Sequence, residues 1–267
     1  MRAQKEAFAL LMRTISEMEG IAAIGKSGGA QLPENNESDI DIFVFCTRIP
    51  AVSIRKAAVE FLGQMIKKSD FGHKTEHWGL CDFIYLDGAE ICLMYFTVEA
   101  MNRELDAILG GERLEKENNY FYPTGRAASF HSMHALYDPN GYIASAKERI
   151  AHYPDQLSKR LAEHLLGALM DMEDMERAVS RKDVLFYHFA LDLALDHLLQ
   201  WLFALNKCFF PSRKRSLQII HGFVHKPIHC EERLLRVVAL GGEAESLGQS
   251  HRMLMELIQD ILRIRKC

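Results

Sequence analysis

The apolar pattern of this chain changes at Pro154, and the change limits what the chain can fold into. Strand-like and helix-like patterns occur together before it, whereas the patterned segments after it have the helical period. These helical segments are 155–182, 184–206, 212–224, 230–240 and 243–265. We therefore predict an α+β fold, with a mixed-sheet domain over residues 1–150 and an all-α helical bundle domain over residues 151–267.

The first 150 residues carry the signals of a small sheet with helices around it. Apolar spacing predicts a helix over 2–19, and Gly20 ends it. Two apolar runs joined by Asp87-Gly88 predict a hairpin over 81–96. The remaining predicted elements are strands over 21–25 and 39–46, helices over 53–68 and 97–111, and a last strand that starts at His134.

Composition narrows the class of protein. Of the 267 residues, 48% are hydrophobic and 25% are charged, as in globular proteins. The net charge of −4 does not favour a nonspecific nucleic-acid binder, which is usually basic. The six scattered cysteines predict reduced thiols, and the sequence has neither a signal-peptide pattern nor an apolar window of about 18 residues. We expect a cytoplasmic protein without a membrane partner; its oligomeric state stays open, with a homodimer among the alternatives.

Two aspartates stand one residue apart at the start of the predicted strand 39–46. Residues i and i+2 of a strand point to the same face, so the carboxylates of Asp39 and Asp41 share one space. Two like charges so close repel each other unless a cation lies between them. Mg²⁺ is bound by one or two carboxylates together with substrate phosphates. The pair therefore predicts a Mg²⁺ site, although a lone Asp-x-Asp is more often a strand cap, here together with Ser38.

The loop before this strand has the residues of a phosphate cradle. It begins with the sequence GKSGG (25–29), which offers approachable backbone N–H groups, a hydroxyl and an ammonium. A phosphate cradle beside a metal-binding carboxylate pair is the equipment of phosphoryl or nucleotidyl transfer. The strand before the loop and the apolar run after Asp41 favour this interpretation over a simple strand cap.

The order of strand, Gly/Ser-rich loop and SDIDIFVF (38–45) is similar to the signature of the polymerase β-type nucleotidyltransferase superfamily. The resemblance implies a small mixed sheet flanked by helices. It also implies that Asp39 and Asp41 bind Mg²⁺ and that Ser27 holds the triphosphate of ATP or another NTP.

Two outer stretches, 134–154 and 202–220, resemble the bacterial aminoglycoside and lincosamide adenylyltransferases. The resemblance implies transfer of a nucleoside monophosphate, AMP from ATP in the first instance, to a hydroxyl of a small molecule such as an antibiotic. In the helical domain of related transferases a basic residue reaches the triphosphate, and Lys214 is our candidate for that role.

The loop departs from the family pattern, because two alignments of its Gly-Ser position are open. Either Gly25 heads the motif with Lys26 in the Ser position, or Lys26 and Ser27 occupy the pair. We prefer the second alignment, since a hydroxyl followed by Gly28 and another glycine makes the better cradle. The predicted nucleotide-binding residues are Gly25, Lys26, Ser27, Gly28, Ser38 and Lys214.

The second departure from the family pattern concerns a third carboxylate, which active members supply from a neighbouring strand. By pattern it would fall at Cys92, and a thiol is a poor ligand for Mg²⁺. Glu90, two residues earlier and so on the same face, is our candidate for the base that deprotonates the acceptor hydroxyl. Asp82 on the partner strand is an alternative. The predicted catalytic residues are Asp39, Asp41 and Glu90.

The missing carboxylate leaves other functions open. A catalytically weak or inactive nucleotide-binding module of the same fold is one alternative, and Cys92 is its main support. A transferase that acts on a partner protein is another. The sequence does not name the acceptor, because fold does not fix function.

Overall fold

The computed structural model describes residues 2–28, 39–75, 78–86, 89–116, 121–170 and 172–266. The chain forms two compact units. The first, called here the sheet unit, comprises Met1–Ala107 and Arg126–His152. The second, called here the helical unit, comprises Ile108–Gly125 and Tyr153–Cys267.

The sheet unit contains a six-stranded mixed sheet with the strand order β3-β4-β5-β2-β1-β6. Among the described residues, neighbouring strands of the sheet pair antiparallel, except that β2 and β5 run parallel. The strands are β1 (Ile21–Lys26), β2 (Ile40–Cys46), β3 (Ile66–Thr75), β4 (Gly79–Leu86), β5 (Ala89–Thr97) and β6 (His134–Tyr137). The predicted α+β fold with a mixed sheet is thereby confirmed.

The helices of the sheet unit pack on a sheet that is apolar on both faces. These helices are α1 (Arg2–Ser16), α2 (Val52–Glu60), α3 (Val98–Leu109), α4 (Gly125–Ser132) and α5 (Tyr142–Ile150). On one face, Leu11 of α1 is buried in a cluster with alternate strand residues such as Ile42 and Leu93. On the other face, Phe45 stacks on Phe130 of α4, with ring centroids 5.2 Å apart. Both faces are therefore covered near the middle of the sheet.

One predicted element of this unit is wrong. The spacing predicted a single helix over 53–68, but α2 ends at Glu60 and residues Ile66–Thr75 form strand β3. This strand lies at the edge of the sheet and is mostly exposed, with a polar sequence that shows no alternation of apolar residues. Pairing with β4, rather than local pattern, determines its conformation.

The helical unit contains α6 (Asp155–Met170), α7 (Glu173–Arg181), α8 (Val184–Leu205), α9 (Ser216–His221), α10 (Cys230–Leu240) and α11 (Leu247–Lys266). The helix predicted over 212–224 is wrong at both ends, because only Ser216–His221 is helical. The single helix predicted over 155–182 is two helices. Within the described residues, the structure contains no helix with the length and apolar character that crossing a membrane requires.

Residues 108–125 pack with the helical unit although they precede residue 150. The Phe210 amide donates a hydrogen bond to the Thr124 hydroxyl at 2.8 Å, and this hydroxyl donates back to the Phe210 carbonyl oxygen at 3.2 Å. Gly111 lies against Arg160 of α6, whose guanidinium donates to the Gly111 carbonyl oxygen at 3.0 Å. These contacts, which span many residues of sequence, group the segment with the helices.

Candidate functional site

Ser27, Asp41 and Cys92 form one row across three neighbouring strands. The Ser27 amide donates a hydrogen bond to the Asp41 carbonyl oxygen at 3.0 Å, which extends the pairing of β1 with β2 by one residue. Asp41 is in register with Cys92 in the parallel pair of β2 and β5. Side chains that stand beside each other in adjacent strands point to the same side of a sheet. The hydroxyl, the carboxylate and the thiol therefore share one face.

Asp39 and Asp41 lie on the same face, as their spacing predicts. Both residues are exposed, while Ile40 between them is only 2% exposed and is packed in the core of the opposite face. Exposed and buried residues thus alternate at the start of β2, where one face of the sheet is covered and the other is open. The structure thus places two carboxylates on the face that carries Ser27.

Lys26 ends β1 and is 5% exposed. Its ammonium donates a hydrogen bond to the Ser27 carbonyl oxygen at 3.4 Å. Burial lowers the pKa of Lys26, and the negative charge of Asp41 acts in the opposite direction. The ammonium is thus close enough to the carboxylate row to interact with it electrostatically.

The two described loop glycines have different surroundings. A side chain at Gly25 would overlap Met133 and come within 3.2 Å of Ile143, so this position admits the close approach of the segment after α4. Gly28 has a φ of +75°, a conformation that favours glycine, and no described residue lies within 4 Å of where its side chain would be. The backbone at Gly28 is therefore approachable for a ligand. The predicted cradle residue Ser38 lies outside the described residues.

Glu90 is on the same face as Cys92, two residues away along β5. It is in register with Tyr85 of β4, and the Tyr85 hydroxyl donates a hydrogen bond to its carboxylate. Partial burial and this carboxylate raise the pKa of Tyr85, and Asp39 adds to the effect. The carboxylate of Glu90 is therefore held on the face that carries the two aspartates.

Cys92 is the position at which the sequence resemblance predicts a third carboxylate. A hydrogen bond with Cys81 is the main cause that raises the pKa of Cys92, followed by burial and the charges nearby, among them Asp41 and Glu90. The same hydrogen bond lowers the pKa of Cys81. The two thiols occupy diagonal positions on β4 and β5, on the face of Asp41. Cys92 is thus a protonated, uncharged neighbour of the carboxylates.

Asp82 is not the third carboxylate. It is fully buried and forms an ion pair with Arg55 of α2, which is 2% exposed. It also accepts a hydrogen bond from the Gly72 amide at 3.0 Å. Since Asp82 alternates with Cys81 and Phe83 along β4, it points to the face opposite the carboxylate row.

Lys214 belongs to the helical unit and is exposed. It lies in a turn before α9 rather than in the first turn of a helix, and its amide donates a hydrogen bond to the Ser212 hydroxyl at 3.1 Å. Its neighbour Arg213 binds Asp192 and Asp196. The role proposed for Lys214 at the triphosphate stays a prediction.

The donor set of this face suits a hard cation, because Asp39 and Asp41 offer carboxylate oxygens on an exposed surface. In the part of the chain that the structure describes, no three His, Cys, Asp or Glu side chains converge so as to hold a metal ion. The carboxylate pair therefore fits Mg²⁺ when further oxygen ligands come from the phosphates of a nucleotide.

Comparison with known proteins finds similarities of two kinds. A family model described as "Domain of unknown function (DUF4037)" matches residues 122–215. A nucleotidyltransferase-like protein from Exiguobacterium sibiricum 255-15 has a similar structure, with a TM-score of 0.47 and 10% sequence identity. That similarity covers 98% of this chain and 77% of the other. No curated protein matches the chain.

Proposed function

We propose that the sheet unit carries a nucleotidyltransferase site of the polymerase β type. The observation that supports this most is the placement of Asp39 and Asp41 on one exposed face, which also carries Ser27. The reaction is Mg²⁺-dependent transfer of a nucleoside monophosphate, AMP from ATP, to a hydroxyl of a small molecule. Pyrophosphate leaves as the new phosphoester bond forms.

Each residue near this face has a distinct role in this proposal. Asp39 and Asp41 hold Mg²⁺, which when bound neutralises charge on the triphosphate and lowers the pKa of the attacking hydroxyl. Ser27 and the open backbone at Gly28 donate hydrogen bonds to phosphate oxygens. The ammonium of Lys26 offsets negative charge beside Asp41. These groups bind and orient the nucleotide.

Glu90 takes the proton of the acceptor hydroxyl. Its carboxylate accepts a hydrogen bond from Tyr85, which fixes its direction beside Cys92. A carboxylate is a competent general base when it is within hydrogen-bond reach of the proton. An aminoglycoside-type antibiotic is the candidate acceptor that the sequence resemblance over 134–154 and 202–220 supports.

The second candidate is a nucleotide-binding module that transfers slowly or not at all. Cys92 favours it, because an uncharged thiol stands beside Asp41 where a third carboxylate would complete the metal site. A transferase that modifies a partner protein uses the same residues and differs only in its acceptor.

Calorimetric titration of ATP into the full chain, with and without Mg²⁺, tests the site. We expect binding that requires Mg²⁺ and that is lost in Asp39→Ala and in Asp41→Ala. Asp70→Ala, at an exposed aspartate of β3, is the matched control and should bind ATP as the parent does. Undiminished binding in both site variants would show that the carboxylate pair does not hold the nucleotide's metal.

Transfer is tested separately with ATP labelled at the α-phosphate and a panel of hydroxyl-bearing acceptors, aminoglycosides among them. Label on a small molecule supports the transferase. Binding of ATP without any transfer to small molecules or to added protein supports the binding module instead.

A further inference from the structure

The helical unit contains a cavity of about 350 Å³ that the sheet-unit site does not use. Basic side chains from three separate parts of the unit line it: Lys116 from the segment before α4, His164 from α6 and His197 from α8. Leu165 and Leu193 supply an apolar wall. Cavities of this size, apolar with a few convergent polar groups, are the usual form of small-molecule sites.

A buried carboxylate fixes the polar end of the cavity. Asp196 is 2% exposed and accepts a hydrogen bond from the Tyr122 hydroxyl at 2.7 Å. It also forms ion pairs with Lys116 and Arg213. Two cations therefore share one buried carboxylate, and Lys116 is held at the cavity wall instead of extending into solvent.

Basic groups surround His197. Burial is the main cause that lowers the pKa of His197, while the Asp196 charge raises it and His164 and Lys116 lower it further. The groups that face this histidine are thus one carboxylate already shared by two cations, a second imidazole and an ammonium. An anion between Lys116, His164 and His197 would favour the charged form of His197, which burial opposes.

Among the described residues, the other charges near the cavity do not fill that role. Glu115 is exposed at the rim. Glu173 and Asp174 line an adjoining cavity of about 300 Å³ that also includes His197, and both are paired with Arg177. Asp192 binds the outer side of Arg213. None of these carboxylates joins Lys116 and the two histidines in an ion pair that the structure shows.

We infer that this cavity binds a small oxyanion with an apolar group, a carboxylate or a phosphate monoester. Lys116, His164 and His197 bind the oxyanion, and Leu165 and Leu193 contact the apolar group. This binding is independent of the function proposed for the sheet unit, because every residue involved belongs to the helical unit.

Calorimetric titration of the full chain with benzoate and with phenyl phosphate tests the site and separates the two oxyanions. We expect at least one probe to bind, with affinity about tenfold or more weaker in His164→Asn and His197→Asn. His225→Asn, at an exposed histidine of the same unit, should bind as the parent does. Circular dichroism establishes that each variant is folded.

The chemical shifts of the histidine ring protons in the unmodified chain give a second readout that needs no variant. Bound anion should raise the pKa of His197, so the probe should bind more tightly at about pH 6 than at about pH 8. Preference for phenyl phosphate or for benzoate identifies the oxyanion. Absence of binding by both probes at millimolar concentration, or equal binding in the parent and in the doubly substituted His164→Asn/His197→Asn chain, would overturn the inference.

Discussion

Cys92 stands directly beside Asp41, one strand away in the parallel pair of β2 and β5. A carboxylate at this position would point to the same face as Asp39 and Asp41. In its place is a thiol whose pKa is raised by its hydrogen bond with Cys81, by burial and by the neighbouring charges. An aspartate at position 92 would therefore place three carboxylates on this face.

Cys92→Asp should tighten the binding of Mg²⁺ in the presence of a non-hydrolysable ATP analogue by about tenfold, because a third oxygen ligand replaces a poor one. Calorimetry measures this affinity. Cys92→Ser is the control, since it removes the thiol without adding a charge. Equal Mg²⁺ affinity in the Asp and Ser variants would show that position 92 does not reach the metal.

The Cys92→Asp variant should be less stable than the parent when EDTA removes divalent ions. Three carboxylates on one face repel each other without a cation, so the added charge lowers the free energy of unfolding. Mg²⁺ with the ATP analogue should restore much of that loss. Thermal unfolding followed by circular dichroism, with and without Mg²⁺, checks the expectation.

Gly25→Ala should destabilise the chain by about 1–3 kcal/mol, the usual effect of overpacking. The added methyl group would overlap the buried side chain of Met133, which is 1% exposed. Gly167→Ala is the matched control: its added carbon meets no described residue within 4 Å, and alanine favours the helix α6. Urea unfolding gives both values.

The Gly25→Ala/Met133→Ala double variant tests whether contact with Met133 causes the destabilisation by Gly25→Ala. Removing the Met133 side chain makes room for the new methyl group. The double variant should therefore lose less free energy of unfolding than the sum of the losses in the two single variants. Simple additivity would mean that Gly25 acts through its backbone and not through contact with Met133.

Much of the sheet was predictable from sequence because its inner strands are apolar. The predicted strands over 21–25 and 39–46 differ by one residue at an end from β1 and β2. The predicted hairpin over 81–96 became β4 and β5. Strand β3 was not predictable, since an exposed edge strand needs no apolar alternation and is specified by its partner.

The candidate site, like the sheet, was predictable from sequence only in part. The shared face of Asp39 and Asp41 follows from local spacing alone. The ion pair that removes Asp82 from the site depends on Arg55, which lies 27 residues earlier. Asp196 gave one signal, a carboxylate inside a mostly apolar helix, but its partner Lys116 lies 80 residues away and no spacing rule connects them.

Asp82→Asn should destabilise the fold by roughly 3–5 kcal/mol, because it leaves the buried guanidinium of Arg55 without a counter-charge. ATP binding by the folded fraction should not change, since Asp82 is on the face opposite the carboxylate row. Asp70→Asn removes an exposed ion pair with His73 and should change stability by about 1 kcal/mol or less. Urea unfolding and calorimetry at low temperature measure the two properties. A loss of ATP affinity with unchanged stability would place Asp82 in the site after all.

The free energy of unfolding should fall as the pH drops below about 6.5, with a contribution from His251. Burial lowers the pKa of this histidine from its usual 6.5; Glu176 opposes the effect and Arg252 adds to it. Its Nε2 atom is buried and has no hydrogen-bond partner among the described residues. The unfolded chain therefore binds a proton at a pH where the folded chain does not. The contribution of His251 to the free energy of unfolding is fully present above the pKa that this histidine has in the unfolded chain. Below that pKa the contribution is lost progressively, by up to about 1.4 kcal/mol per pH unit for one histidine.

His251→Leu should make the pH dependence shallower between about pH 7 and about pH 5, because the titrating group is removed from a site that offers its Nε2 atom no partner. Some slope should remain, since burial also lowers the pKa of His197. His225→Leu, at an exposed histidine, is the control and should keep the slope of the parent. Urea unfolding across the pH series measures all three chains. Parallel curves for the parent and His251→Leu would mean that His251 accepts its proton equally well in the folded and unfolded chain.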